Sequence, residues 1–435
     1  MTLTLLTPAT ATLLNAPTIR QLPHGLTIIA EQMPVDAVNL NVWLGVGSAV
    51  EDDSINGMAH FLEHMIFKGT QALASGEFEA RVEARGASTN AATSQDYTHY
   101  YITSAPQDFA ALAPHQIEVV MNATIPDEAF ERERFVILEE IRRAQDNPQR
   151  RTFYRAMQAS FDRLPYRRPV LGPTEVIEQL TPQQMRDFHA TWYQPQFMTA
   201  VAVGNLPVEE LIQIVEEGFT AAIARRSDVR SSVPSIAPVA LEAPFATIRR
   251  VEHIDNTLQQ ARLVMTWRVP GMNQLAETYA LDVLASVLSY GRTSRLVRDL
   301  REDRHLVTGI SASNMTFTHQ GLFYISAHLP TENLEPVEAA IAQHIDRLSK
   351  ELVSEAEIQR IRTLVANRFI FGNETPSDRA GLYGYYQAVL KDITPALSYP
   401  AAIKSIEAED LLIAAKQYLS PTAYSSIVIR PDSMA

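Results

Sequence analysis

The feature that most limits how this chain can fold is a repeated order of elements. Ala261-Arg262-Leu263-Val264-Met265-Thr266-Trp267-Arg268-Val269 resembles the strand ending Val42-Trp43-Leu44-Gly45-Val46, and the helical patterns Gly57 to Lys68 and Thr278 to Tyr290 are each closed by a glycine, Gly69 and Gly291. Such a repeat folds as two related halves. The 435 residues also exceed what one ordinary hydrophobic core organises. A polar, Pro-containing stretch from Ala224 to Pro244 interrupts the regular alternation. We therefore expect a mobile N-terminal arm over 1–17, a first domain over 18–223, a linker over 224–244 and a second, homologous domain over 245–435.

Within the first half, Leu26 to Ala30 is a β-rich run after the turn signal Pro23-His24-Gly25, and Val38 to Leu44 alternates apolar with polar residues. The alternation predicts a half-buried sheet. Helical patterns follow at Gly57 to Lys68, Gly76 to Arg85, Pro106 to Asn122 and Asp127 to Gln145, with strand-like runs at Tyr97 to Thr103 and Met198 to Val203. The expected class is α+β, with a mainly antiparallel sheet packed with α-helices in each half.

Charge and composition narrow the functions available. With 37 Lys plus Arg against 50 Asp plus Glu, the formal charge of −13 disfavours nucleic acid and anionic membrane surfaces and favours cationic peptides. There is no cysteine, so a metal site must be built from His, Asp and Glu. No run approaches about eighteen apolar residues, so no membrane span is expected. Met1 to Pro17 lacks the positive residues of a secretory signal, which leaves the cytoplasm as the default location.

His60-Phe61-Leu62-Glu63-His64 is the sharpest local feature. On a helix, residues i and i+4 share a face one turn apart, so two imidazoles reach one ion while Glu63 sits beside it. A catalytic zinc takes three protein ligands and keeps one position for water. The candidate source of the third is the helix around Glu131 to Ile141: Glu133 and Glu140, seven residues apart, share a face, and Glu139 points about 100° away. The bland alternatives are a coincidental His pair and a solvated carboxylate face paired with Arg132, Arg134, Arg142 and Arg143.

The inverted His-x-x-Glu-His order, followed after seventy-five residues by Glu140 as the second of a Glu-Glu pair, resembles the inverzincin metallopeptidases: pitrilysin, insulysin and the mitochondrial processing peptidase. Gly57-Met58-Ala59, Phe67-Lys68-Gly69-Thr70, Asn90-Ala91-Ala92-Thr93-Ser94 and Asp146-Asn147-Pro148 are similar to the same pattern. The resemblance implies one Zn²⁺ per chain on His60, His64 and Glu140, with Glu63 as general base and Glu133 as a supporting carboxylate. It also implies a half-clamshell of two domains around a chamber for peptides or unfolded chains, which pair with an edge strand at Asn90, Ala91, Ala92 and Thr93.

One departure bears on partners. Relatives of this type supply from the second half an Arg and, seven residues later, a Tyr that hold the substrate carbonyl. Here Arg301 is present, but Thr308 stands at the Tyr position. Either a non-identical homologous subunit supplies the pair, giving a heterodimer, or Tyr100, Tyr101, Tyr383, Tyr385 or Tyr386 substitutes; the resemblance also allows a homodimer. The rival reading is a non-catalytic scaffold or core subunit of a larger complex, against which the intact ligand set and Glu63 weigh.

Overall fold

The structure, a computed structural model, describes residues 17–226 and 239–432. The expected N-terminal arm, apart from Pro17, and most of the expected linker lie outside the described residues. Eleven strands are described: β1 (Thr18–Gln21), β2 (Thr27–Gln32), β3 (Val38–Leu44), β4 (Ser88–Thr93), β5 (Thr98–Ser104), β6 (Met198–Gly204), β7 (Arg249–Ile254), β8 (Ala261–Pro270), β9 (Gly309–Met315), β10 (Gln320–Leu329) and β11 (Ser425–Arg430). The helices of the first half are α1 (Met58–Met65), α2 (Glu77–Glu83), α3 (Pro106–Asn122), α4 (Asp127–Asp146), α5 (Pro148–Ser160), α6 (Thr174–Ile177), α7 (Pro182–Trp192) and α8 (Val208–Arg225). Those of the second are α9 (Leu275–Ser289), α10 (Leu334–Leu348), α11 (Glu355–Phe371), α12 (Pro376–Leu390), α13 (Thr394–Ser405) and α14 (Ala408–Tyr418).

The repeat read from the sequence is a repeat of topology. The first sheet has the order β1-β2-β6-β3-β5-β4 and the second β7-β11-β8-β10-β9, so β7, β11, β8, β10 and β9 stand where β2, β6, β3, β5 and β4 do. Each sheet is mixed, with one parallel pair, β2 with β6 and β7 with β11, among antiparallel neighbours. One face of the first sheet packs on α1, α3 and α8 through Leu40, Val42, Phe61, Leu62, Ile117 and Phe219. The second sheet does the same against α9, α10 and α14 through Met265, Trp267, Leu284, Phe323, Ile341 and Leu411.

The reverse faces are covered by exchange. α12, from the second half, lies on β3 and β6 and joins Ala380, Tyr383 and Ala388 to Ile29, Trp43, Val201 and Val203. Conversely α5, from the first half, sets Ala156 and Ala159 against Val264, Ile427 and Ile429. This corrects the half-buried expectation for Val38–Leu44, in which every residue is buried. Its polar positions are partnered in part: Asn39 Nδ2 donates to Thr103 Oγ1 at 2.9 Å while its Oδ1 is buried without a partner, and Asn41 Oδ1 meets His99 Nδ1 at 3.1 Å. The cover comes from residues more than three hundred positions away, which strand periodicity does not report.

Candidate metal centre

α1 is short, and its start is tightly held. Gly57 has φ +100°, and a Cβ there would come within 2.7 Å of Ile177 Cδ1 and Leu171 O, so only glycine fits. The Glu51 carboxylate accepts from Ala59 N at 2.7 Å through one oxygen, and from Gly57 N at 2.8 Å and Asn56 Nδ2 at 2.9 Å through the other. These donors include helix N–H groups that have no partner within the helix. Burial pushes Glu51 up to about 7, against the pull of those hydrogen bonds. Farther along α1, Phe61 stacks on Phe130 of α4 with ring centroids 4.5 Å apart, which fixes the two ligand-bearing helices against each other.

That contact brings the predicted donors together. His60 Nε2 lies 3.5 Å from Glu140 Oε2, and His64 Nε2 lies 3.8 Å from the same oxygen. One ligand atom from each of the three residues lies within 4.8 Å of the others, and among the described residues no other group of three metal-ligating side chains converges in this way. Tetrahedral zinc with bond lengths near 2.1 Å separates neighbouring donors by about 3.4 Å, so the measured spacing fits. His60 is pushed down to about 3 by burial, then by His64 and Arg150, so its ring is neutral and its lone pair free to coordinate. Its Nδ1 is buried without a partner, whereas His64 Nδ1 meets Glu133 Oε1 at 2.9 Å.

The remaining carboxylates divide by role. Burial would raise Glu133, but hydrogen bonds from His64 and Lys68 outweigh it and hold the acid below its usual range; Lys68 Nζ sits 2.7 Å from Glu133 Oε2. Glu63 stands outside the donor set. Burial raises its carboxyl, partly offset by a hydrogen bond from Thr93 Oγ1 to Glu63 Oε2 and by His64. Glu139, next to Glu140, turns away and pairs with Arg142 and Arg143.

Among the expected substrate contacts, Asn90, Ala91, Ala92 and Thr93 lie on β4, the outermost strand of the first sheet. Asn90 and Ala92 are exposed; Thr93 turns toward α1 and holds Glu63. Arg301 lies in the second half, paired with Glu302 at 2.7 Å, and Thr308 donates to Gln260 Oε1 at 2.8 Å. Two of the tyrosines considered as substitutes are engaged elsewhere: the Tyr100 and Tyr193 hydroxyls meet at 2.8 Å, and Tyr383 donates to Glu31 at 2.7 Å. Sequence reasoning missed Glu51 and Lys68. Glu51 lies six to eight residues before the backbone groups it serves, outside any capping-box spacing, while Lys68 one turn after His64 was a readable signal.

Two α+β domains of one topology, the first bearing His, His and Glu side chains on two packed helices beside a further carboxylate, define a two-domain protein with a candidate metal site. The chain belongs to the peptidase M16 family: residues 26–174 match the insulinase (peptidase family M16) model and residues 179–365 the peptidase M16 inactive domain model. An uncharacterized zinc protease of Mycobacterium tuberculosis is 29% identical over 378 residues, spanning 87% of this chain and 85% of that protein. The zinc protease PqqE of Helicobacter pylori is 25% identical over 421 residues, spanning 94% and 92%. A crystal structure of a protease from Helicobacter pylori superposes with a TM-score of 0.88 at 24% identity, over 96% of this chain and 99% of that one. Among the described residues no helix is long and apolar enough to cross a membrane.

Proposed function

We propose that this chain is a zinc-dependent endopeptidase acting on peptides or unfolded polypeptides, holding one Zn²⁺ on His60, His64 and Glu140. The observation that carries the reading is the convergence of three donor side chains at zinc-like spacing, with a fourth group, the half-buried Glu63 carboxylate, beside them and outside the set. A scaffold or storage role has no use for that fourth group. A bound Zn²⁺ supplies Lewis acidity, acidifying a water and polarising a carbonyl. Glu63 is the group that would take a proton from an attacking water and return it to the leaving amine. Thr93 holds one Glu63 oxygen, so the other is left to carry the proton. Glu133 fixes the His64 ring, and Lys68 fixes Glu133. The exposed positions of β4 offer an extended peptide an edge on which to pair.

The same reading takes residues 18–223 as the catalytic domain and 245–435 as its metal-free homologue. It assigns the complete Arg and Tyr pair, of which this chain has only Arg301, to a non-identical partner subunit, which closes the chamber. Thr308 at the Tyr position, and the engagement of Tyr100 and Tyr383 elsewhere, support this.

The test joins elemental analysis to hydrolysis of a long internally quenched peptide by the purified chain and by Glu63→Gln. Both proteins should carry one zinc. Turnover, with or without added partner, should fall at least roughly a thousandfold in the variant. A chain that binds no zinc, or a variant as active as the parent, removes the assignment. High turnover by the chain alone removes the need for a second subunit.

A further inference from the structure

The second half holds a cavity of about 550 Å³ between the first turns of α5 and the second sheet. It forms because side chains alternate along β8 and β10: Leu263, Met265, Phe323 and Ile325 enter the core, while Arg262, Tyr324, Ser326 and His328 face the other way. α5 covers that reverse face over β11 and β8 and leaves the cavity beside β10 and the outermost strand, β9.

The charge in this cavity is unbalanced. Arg262 is half-buried, donates from Nη1 to His328 Nε2 at 3.2 Å, and has no carboxylate partner within ion-pair distance among the described residues. Burial and the neighbouring Arg262 both lower His328, which disfavours a second positive charge there. Asp255, the acid whose charge acts on Arg262, is already taken by Arg151 at 2.7 Å, with Arg155 Nη1 4.0 Å away. Two guanidinium groups therefore share that one carboxylate and Arg262 is left outside the pair, on a chain whose formal charge is −13. A half-buried guanidinium without a counter-ion has lost hydration that a carboxylate ligand would replace.

We propose that this cavity binds a carboxylate of the peptide substrate, gripped by the free Nε and Nη2 edge of Arg262 and surrounded by the hydroxyls of Ser311, Ser313 and Ser326. The proposal rests on the peptidase reading and refines its substrate class. The first two turns of α5 border both this cavity, through Gln149, Thr152 and Phe153, and the cavity beside Glu140, through Arg150. An extended peptide, advancing about 3.3 Å per residue, reaches both. The sign is opposite to the one that net charge implies: long-range attraction favours basic peptides, while this contact selects an acidic group.

Fluorescence anisotropy tests it with three labelled peptides of otherwise identical neutral sequence: one with a free C-terminal carboxylate, one amidated with a single Asp, and one amidated and neutral. Binding is measured to the Glu63→Gln chain, so that none is cleaved. One carboxylate-bearing peptide should bind about tenfold tighter than the neutral one, and which of the two does so identifies the source of the group. Arg262→Gln should bring that ratio to about one, and Arg262→Lys should restore part of it. Equal affinity for all three peptides, or a preference that survives Arg262→Gln in a protein with unchanged circular dichroism, overturns the proposal. Hydrolysis by the parent chain separates the two readings. Turnover without the preference removes this cavity alone, whereas the preference in a chain that binds no zinc removes the peptidase instead; absence of turnover by the chain without a partner removes neither.

Discussion

With Gly69 and Gly291 aligned, Asp282 falls at the position of His60, Ala285 at that of Glu63 and Ser286 at that of His64. The second copy thus has an acid in place of one imidazole and loses the other imidazole and the base. Asp282 accepts from Asn314 Nδ2 on β9 at 2.9 Å and from the Tyr399 hydroxyl at 3.1 Å, and it borders a cavity of about 660 Å³ with Ser286 and Tyr385. Burial pushes it up to about 6, against those two hydrogen bonds. A carboxyl whose folded pKa exceeds its unfolded value contributes stability that is complete below about pH 4 and is lost as pH rises through about 6. Asp282→Asn reproduces the neutral form, with the Tyr399 hydroxyl free to accept from the new amide. We expect the variant to match the parent near pH 4 and to exceed its stability by on the order of 2 kcal/mol at pH 8. Urea unfolding across that range measures this, and a difference that stays flat with pH would count against a raised acid here.

At the level of elements, what the sequence disclosed depended on how local the cause is. Asp127 to Gln145 is predicted as a helix and found as Asp127–Asp146, because its apolar spacing and its Asn147-Pro148 exit lie within the segment. Pro106 to Asn122 is likewise found as Pro106–Asn122. The shared face of Glu133 and Glu140 follows from helical spacing alone, and so does the divergence of Glu139. The burial of Asn39 and Asn41 was hidden, because α12 imposes it from the other half. The hold on the start of α1 was hidden too, since Glu51 reaches it through an irregular segment. That hold carries a prediction. All three Glu51 partners are N–H donors on two different oxygens, so a Gln amide, turned either way, sets N–H against N–H. Glu51→Gln should cost about 1–3 kcal/mol and loosen the first turn of α1, which carries His60. Zinc titration by competition with a chelator should then show affinity weakened about tenfold, and unchanged affinity would mean that α1 is fixed by its packing on α4 alone.

For the whole molecule, the exchange of α5 and α12 makes neither half complete. Without α12, the reverse face of the first sheet would bare Ile29, Met33, Trp43, Val201 and Val203. At about 2 kcal/mol for each side chain, that loss is at most roughly 10 kcal/mol, comparable with the entire stability of an ordinary domain. The contact is also specific. Glu31 of β2 is buried and accepts from Arg379 Nη1 and from the Tyr383 hydroxyl, each at 2.7 Å, so removing α12 takes both donors from a buried carboxylate. Gly384 lies so close to Trp43 that a Cβ would stand 2.1 Å from the indole Nε1, which leaves no room for a larger residue at that crossing. A polypeptide of residues 1–226 produced alone should therefore aggregate or unfold without cooperativity, although it contains every expected zinc ligand. Produced together with residues 239–435 as a separate chain, it should assemble into a one-to-one complex that binds zinc, as size-exclusion chromatography with elemental analysis would show. If residues 1–226 were monomeric and unfolded cooperatively on their own, the exchanged helices would be ornaments on two self-sufficient domains. Failure of the split pair to associate would instead show that the segment joining the halves contributes more than proximity.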